Sequence, residues 1–242
     1  MNGAAGRADT TVLVAGVYLC DRKNNAVEIA REIGHSREWQ VEQKWIALGK
    51  AAIPDPLAPV TAWRARSAAK FVLLNRLLGQ LALDRYAFVL VCDDDIVLPD
   101  RFVDRYLGLV TRHDLALAQP ARTHDSYIEH PFVEQLDGLV ARRTRFVEIG
   151  PLFSMRRDVV RLLAPFSETS PMGWGYDFAW PLVIEKAGLR MGIVDATPVT
   201  HNLRKTVAYY DNRDAALAMK ALLASRPHLT RDDAFTIVEA YS

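Results

Sequence analysis

Apolar positions along this chain fall into two alternating rhythms. Short apolar stretches, several rich in β-branched residues, occupy 11–19 (TVLVAGVYL), 115–119, 146–154 and 189–194, with partial alternation over 39–48 and a continuous run over 86–92 (YAFVLVC). Each predicts a strand, and an unbroken apolar run predicts one covered on both faces, as in a parallel sheet. The second rhythm is helical. Across 67–83, Phe71, Leu74, Leu78 and Leu81 recur at spacings of three and four. Helices are also expected over 26–33, 100–113, from about Arg157, and over 176–187, 213–225 and 230–241. Residues 53–59 carry three prolines and read as a stiff loop.

Strands alternating with helices predict an α/β fold: a mixed, mostly parallel, Rossmann-like sheet flanked by helices in a single domain. The expected layout is a flexible N-terminus over 1–10, the main domain over 11–210, and C-terminal helices over 211–242 packed on the same domain.

Composition narrows the class without naming it. A chain of 242 residues, half of them apolar, buries roughly 70% of its unfolded surface and needs no disulfide framework. Cys20 and Cys92 close apolar runs and read as small buried thiols. A net charge of +1 gives no global field toward nucleic acid or a membrane. The first ten residues lack the apolar stretch of a signal peptide, and no run approaches the roughly 20 apolar residues of a membrane span. The expectation is a soluble, cytoplasmic protein with no nucleic-acid partner and no integral membrane segment. Nothing in the sequence sets an oligomeric state.

The candidate chemistry begins at Asp93-Asp94-Asp95, directly after the 86–92 strand. In open α/β sheets ligands bind beyond the carboxyl ends of strands. Three adjacent carboxylates repel one another by about 1 kcal/mol per pair in water, and by more when partly buried. In an extended stretch Asp93 and Asp95 point to one side and Asp94 to the other. Asp93 and Asp95 can then share one Mg²⁺ or Mn²⁺, leaving coordination sites open for phosphates. The alternative is a solvated acidic turn before the helix expected at Asp100.

A second cluster is Gly173-Trp174-Gly175-Tyr176-Asp177, just ahead of a helix. It reads either as a helix start with a packed tryptophan or as a sugar-binding wall. In the second reading Gly173 and Trp174 bind substrate and Asp177 is the general base. His201, followed by Arg204 and Lys205, is either a surface histidine or a third metal ligand beside two diphosphate-binding cations. Lys70 and Arg76 on the preceding helix are candidates for the donor's phosphates or nucleotide, as is Asp94. His124 and Asp125, with Ser126 and His130 nearby, are candidates for the acceptor pocket. Glu148 interrupts an expected apolar strand. A buried carboxylate there needs a partner, which makes it the second candidate for the base.

In this order the motifs resemble the GT-A fold of glycosyltransferases. The resemblance runs through Asp93-Asp94-Asp95, Phe153-Ser154-Met155-Arg156-Arg157, Gly173 to Asp177, and His201. It implies that Asp93 and Asp95 hold metal and nucleotide sugar, that Asp177 is the base of an inverting enzyme, and that His201 is a third metal ligand. The Gly-Trp-Gly segment is similar to the acceptor-side motif of β-1,4-galactosyltransferases, but Tyr176-Asp177 stand where that family has Gly-Glu-Asp-Asp. A more specific likeness is to an uncharacterised family, numbered 707 among domains of unknown function. It rests on Lys70 to Arg76, Asp93 to Ile96, Gln119-Pro120-Ala121, His124 to Tyr127, Phe146-Val147-Glu148 and Gly173 to Asp177.

The implied activity is metal-dependent transfer of a sugar from a nucleotide-diphosphate donor, a UDP-sugar favoured, to a glycan or other hydroxyl acceptor. The alternatives are a non-catalytic carbohydrate-binding or scaffold protein on the same fold, and a sugar nucleotidyltransferase. The latter usually needs a glycine-rich phosphate loop after the first strand, where this chain has only Gly16.

Overall fold

The computed structural model describes residues 10–204 and 212–242. In chain order the elements are β1 (Thr11–Leu19), α1 (Ala26–Gly34), β2 (Gln40–Leu48), β3 (Thr61–Ala65), α2 (Lys70–Leu78), β4 (Phe88–Asp93), α3 (Phe102–Arg112), β5 (Leu117–Arg122), β6 (Ala141–Thr144), β7 (Leu152–Arg156), α4 (Arg157–Leu163), α5 (Tyr176–Lys186), β8 (Met191–Val199), α6 (Asn212–Ala224), α7 (Arg231–Ala234) and β9 (Ile237–Tyr241). None of the described helices is long and apolar enough to cross a membrane.

The strands form one sheet in the order β3-β2-β1-β4-β7-β5-β8-β6-β9. Among the described strands only β7 and β6 run against the others, so the sheet is mixed and mostly parallel. Alternation along each central strand builds a core on both faces. In β1, Leu13, Ala15 and Val17 pack to one side with Val89 and Val91 of β4, under Phe71, Tyr176 and Trp180. Val12, Val14 and Tyr18 pack to the other side with Leu90 and Cys92, against Ile29, Phe102 and Tyr106. Each fully buried valine, leucine, isoleucine or phenylalanine among them contributes about 1.5–3 kcal/mol. Leu222 of α6 joins the first of these cores. At Gly16 the fit is close: any Cβ there would run into the Trp45 ring and the Cys92 carbonyl.

Several expected elements differ. The three-proline loop contains a 3₁₀ turn, Asp55–Val60, and then β3, which pairs with β2. The helix expected over 67–83 keeps only Lys70–Leu78, because Gly79 caps it. The strand expected over 146–154 begins only at Leu152; Phe146 to Gly150 are irregular, so Glu148 does not sit in a strand. The helix expected over 230–241 is four residues long, and Ile237–Tyr241 instead adds a strand along β6. Its β-branched Ile237 and Val238 suit that edge.

The topology gathers one edge of the sheet. Asp93 ends β4 and Arg122 ends β5, while His201 lies two residues past β8. Because β7 runs the other way, its N-terminal side, with Glu148 and Gly150, opens on that same edge.

Candidate active site

A cavity of about 930 Å³ opens at this edge. Its walls include all three aspartates of the acidic run, Lys70, Arg122, Glu148, Trp174, Asp177, His201 and Arg204.

The acidic run does not alternate as an extended stretch would. The chain bends after Asp93, and Asp94 and Asp95 turn to the same partner. Arg204 donates through Nη2 to Asp94 Oδ1, and through Nη2 (3.0 Å) and Nε (3.1 Å) to Asp95 Oδ2. Its Nη1 donates to the Lys23 carbonyl at 3.0 Å. Asp94 also accepts the Leu19 N–H at 2.6 Å. Burial pushes the Asp94 carboxyl up to about 6, against the pull of Arg204 and that N–H. For Asp95 burial acts in the same direction, but His201 and Arg204 outweigh it and hold the carboxyl below its ordinary value.

Asp93 takes a different cation. Lys70 Nζ lies 2.7 Å from its Oδ1. Lys70 opens α2, where the helix dipole disfavours a positive charge; the Asp93 carboxylate supplies the compensation. Arg76, one and a half turns on, points elsewhere, its guanidinium 5.2 Å from the centre of the half-buried Trp63 ring.

Arg122 is the residue that sequence reasoning missed. Its side chain is buried between two halves of the site. Nη2 donates to Glu148 Oε2 at 2.5 Å and to the Gly150 carbonyl, and Nη1 lies 3.3 Å from His201 Nδ1. The other ring nitrogen, Nε2, is 3.3 Å from Asp95 Oδ2. Glu148 is therefore a buried carboxylate with the partner that burial demands. Desolvation still raises its carboxyl, opposed chiefly by Arg122.

Asp177 sits in the first turn of α5, behind Gly175 in a left-handed conformation (φ 92°). Only 7% of the residue is exposed, and Oδ1 is buried with no hydrogen-bond partner among the described residues. Burial, then the neighbouring charges of Glu148 and Glu129, push its carboxyl up to about 8, although its own N–H and that of Phe178 pull the other way. The preceding turn is fixed by close packing. Gly173 (φ 87°) lies so tightly against Phe71 that a Cβ at this position would overlap the ring, and Ser170 Oγ donates to the Trp174 carbonyl at 2.8 Å. Gly173 shapes the turn while Trp174 lines the cavity.

The structure thus brings together Lys70, Asp93, Asp94, Asp95, Glu148, Trp174, Asp177, His201 and Arg204. It leaves His124 and Asp125 outside the cavity wall. His124 is exposed and pairs with Glu134 at 2.7 Å, and Asp125 accepts from Thr123 and Asn202. From the same loop, Tyr127, Glu129 and His130 face the cavity instead. Lys205 lies outside the described residues.

Among the described residues no three His, Cys, Asp or Glu side chains converge as a complete metal cage. Asp95 Oδ2 and His201 Nε2 face each other directly, and these two could supply part of a ligand set. Their 3.3 Å separation suits neighbouring ligands each roughly 2.1 Å from a small divalent cation, a class that binds through few protein groups plus substrate phosphates.

No family model matches the sequence, that of the family numbered 707 included, and no curated protein matches it. Solved structures do. GalNAc-T7, crystallised with UDP, GalNAc and Mn²⁺, superposes with a TM-score of 0.57 at 9% identity, over 84% of this chain and 45% of that one. S. aureus TarS 1–349 with UDP-GlcNAc also gives 0.57, at 12% identity, over 89% of this chain and 66% of that one. A mycobacterial protein gives 0.53 at 14% identity, over 93% and 81%. This chain therefore spans about half the length of the first and two thirds of the second. The first two are GT-A glycosyltransferases, and the GT-A-like fold expected from the order of motifs is the fold of this chain.

Proposed function

We propose that this GT-A-fold chain transfers a sugar from a nucleoside-diphosphate donor, a UDP-sugar favoured, to a hydroxyl acceptor, with inversion at the anomeric carbon. The observation that carries the reading is Asp177. A buried carboxyl without a partner at Oδ1 is costly, and here it faces the same cavity as a cluster of cations and an oxygen-and-imidazole pair. Such a group is poised near neutrality, where a general base works best.

In this reading Lys70 and Arg204 bind the diphosphate by charge-assisted hydrogen bonds. Asp93, beside Lys70, faces the donor's sugar and ribose hydroxyls. Asp95 and His201 would hold Mn²⁺ or Mg²⁺, which would neutralise charge on the departing nucleotide. Trp174 offers an apolar face to a pyranose ring. Asp177 takes the proton of the acceptor hydroxyl as its oxygen bonds to the anomeric carbon, while the bond to the diphosphate breaks and its electrons leave with the nucleotide. Glu148, held by Arg122, sets the charge beside Asp177 and is the alternative base.

A panel of nucleotide sugars tests this, with release of free nucleotide followed with and without Mn²⁺. Release that needs Mn²⁺ and is lost in Asp95→Ala is expected. If no donor is cleaved and UDP fails to bind, the chain is a scaffold on this fold and the proposal falls.

A further inference from the structure

Arg204, which the proposed chemistry assigns to the diphosphate, is already engaged with the acidic run. Its guanidinium directs three N–H contacts to the carboxylates of Asp94 and Asp95 and a fourth to the Lys23 carbonyl. The Asp95 oxygen it grips, Oδ2, is also the one facing His201 Nε2. A divalent cation seated between Asp95 and His201 would have to share that oxygen with a fixed positive charge. Asp94, 2% exposed, is ion-paired with Arg204, so the arginine also offsets the cost of burying that carboxylate.

We infer that Arg204 is a built-in counter-cation that excludes a lone metal ion and yields the acidic run only when a diphosphate arrives to receive it. Metal and nucleotide then bind as a coupled pair. This deepens the proposed function and rests on it for the identity of the ligands. The physical requirement is simple. A guanidinium leaving two carboxylates needs another anion within reach, and a donor diphosphate in this cavity is one, with paired oxygens that suit a forked contact. The metal in turn replaces the positive charge that Asp95 loses. Neither exchange is favourable alone, because each leaves a buried charge uncompensated. Lys70 is already matched to Asp93 at 2.7 Å.

Calorimetric titrations of the full chain separate the possibilities: Mn²⁺ alone, UDP alone, and each in the presence of the other. For the native sequence, saturating UDP should tighten Mn²⁺ by about tenfold or more, and Mn²⁺ should tighten UDP by the same factor. In Arg204→Gln, Mn²⁺ alone should bind at least about fivefold tighter than in the native chain, and the coupling factor should fall toward one. Asp95→Asn should bind Mn²⁺ under neither condition. Independent binding of Mn²⁺ and UDP in the native chain overturns the inference while leaving the proposed function standing. So does an Arg204→Gln protein that binds lone Mn²⁺ no tighter. If neither ligand binds the native chain, the proposed function itself fails. Should Arg204→Gln not fold, Arg204→Lys takes its place: with the forked grip lost, lone Mn²⁺ should bind about threefold or more tighter than in the native chain, and equal affinity overturns the inference.

Discussion

Replacing Asp177 by Asn should stabilise the protein while abolishing transfer. In the folded chain the carboxyl stays protonated up to about 8, against an ordinary value of 3.8. Across that window the unfolded chain has released a proton that the folded chain keeps. Stability from this group is therefore complete below 3.8 and is lost as pH rises through about 8, at up to about 1.36 kcal/mol per pH unit. By pH 7 the accumulated loss is about 4 kcal/mol. Asn is nearly isosteric, keeps an oxygen for the N–H groups of the first turn, and does not titrate. Urea unfolding of both proteins at pH 5, 6, 7 and 8 should show Asp177→Asn more stable by about 2 kcal/mol at pH 5, rising to about 4 at pH 7 and levelling off above pH 8. In thermal unfolding at pH 7 the gain should be on the order of 10 °C. An equal difference at every pH, or a less stable variant at pH 7, refutes the account of the buried carboxyl. Full donor-to-acceptor transfer by the variant refutes its role as base.

Glu148→Gln removes a negative neighbour of Asp177; the rising limb of the pH–rate profile should move to lower pH, and an unchanged or higher midpoint would count against the coupling. Lys70→Met should weaken UDP on the order of tenfold in calorimetry at saturating Mn²⁺, and equal affinity would detach Lys70 from the donor. Gly173→Ala should cost about 2–3 kcal/mol in urea unfolding, since the new Cβ meets Phe71 as well as a left-handed backbone. Gly188→Ala, at φ 69° with open space around it, should cost about 1 kcal/mol; equal losses at the two sites would mean that backbone conformation, not the ring, decides.

Much of the frame was legible because buried parallel strands leave unbroken apolar runs, and β1 and β4 are such runs. The acidic run could be placed at a strand end, and Asp177 at a helix start, from the same pattern. What periodicity could not show was side-chain partnership across distant segments. Arg122 closes a strand of small and apolar residues, and its lone charge was the available signal, but its link to Glu148 and His201 depends on β5, β7 and β8 lying near one another. The bend at Asp94 replaced the strict alternation assumed for an extended chain, and so moved Asp94 and Asp95 onto one arginine. Glu148 needed a partner, as its chemistry demanded, although its segment is irregular. The last strand was hidden because Ile237 to Tyr241 is too short for strand and helix rhythms to be told apart.

The strand order also bears on how the site is assembled. β3, β2 and β1 pair across short connections, whereas β4 reaches β1 only across a long one, Phe88 lying opposite Val12. The short-range pairings carry the smaller loop-closure entropy. β6 is different: it waits for β8 on one side and for β9, more than ninety residues downstream, on the other. The acidic run ends β4, while the groups that meet Asp94 and Asp95 come from the segment after β8, so this edge is electrostatically complete only with both halves of the sheet in place. Without them the carboxylates repel one another, which disfavours burying that strand end alone.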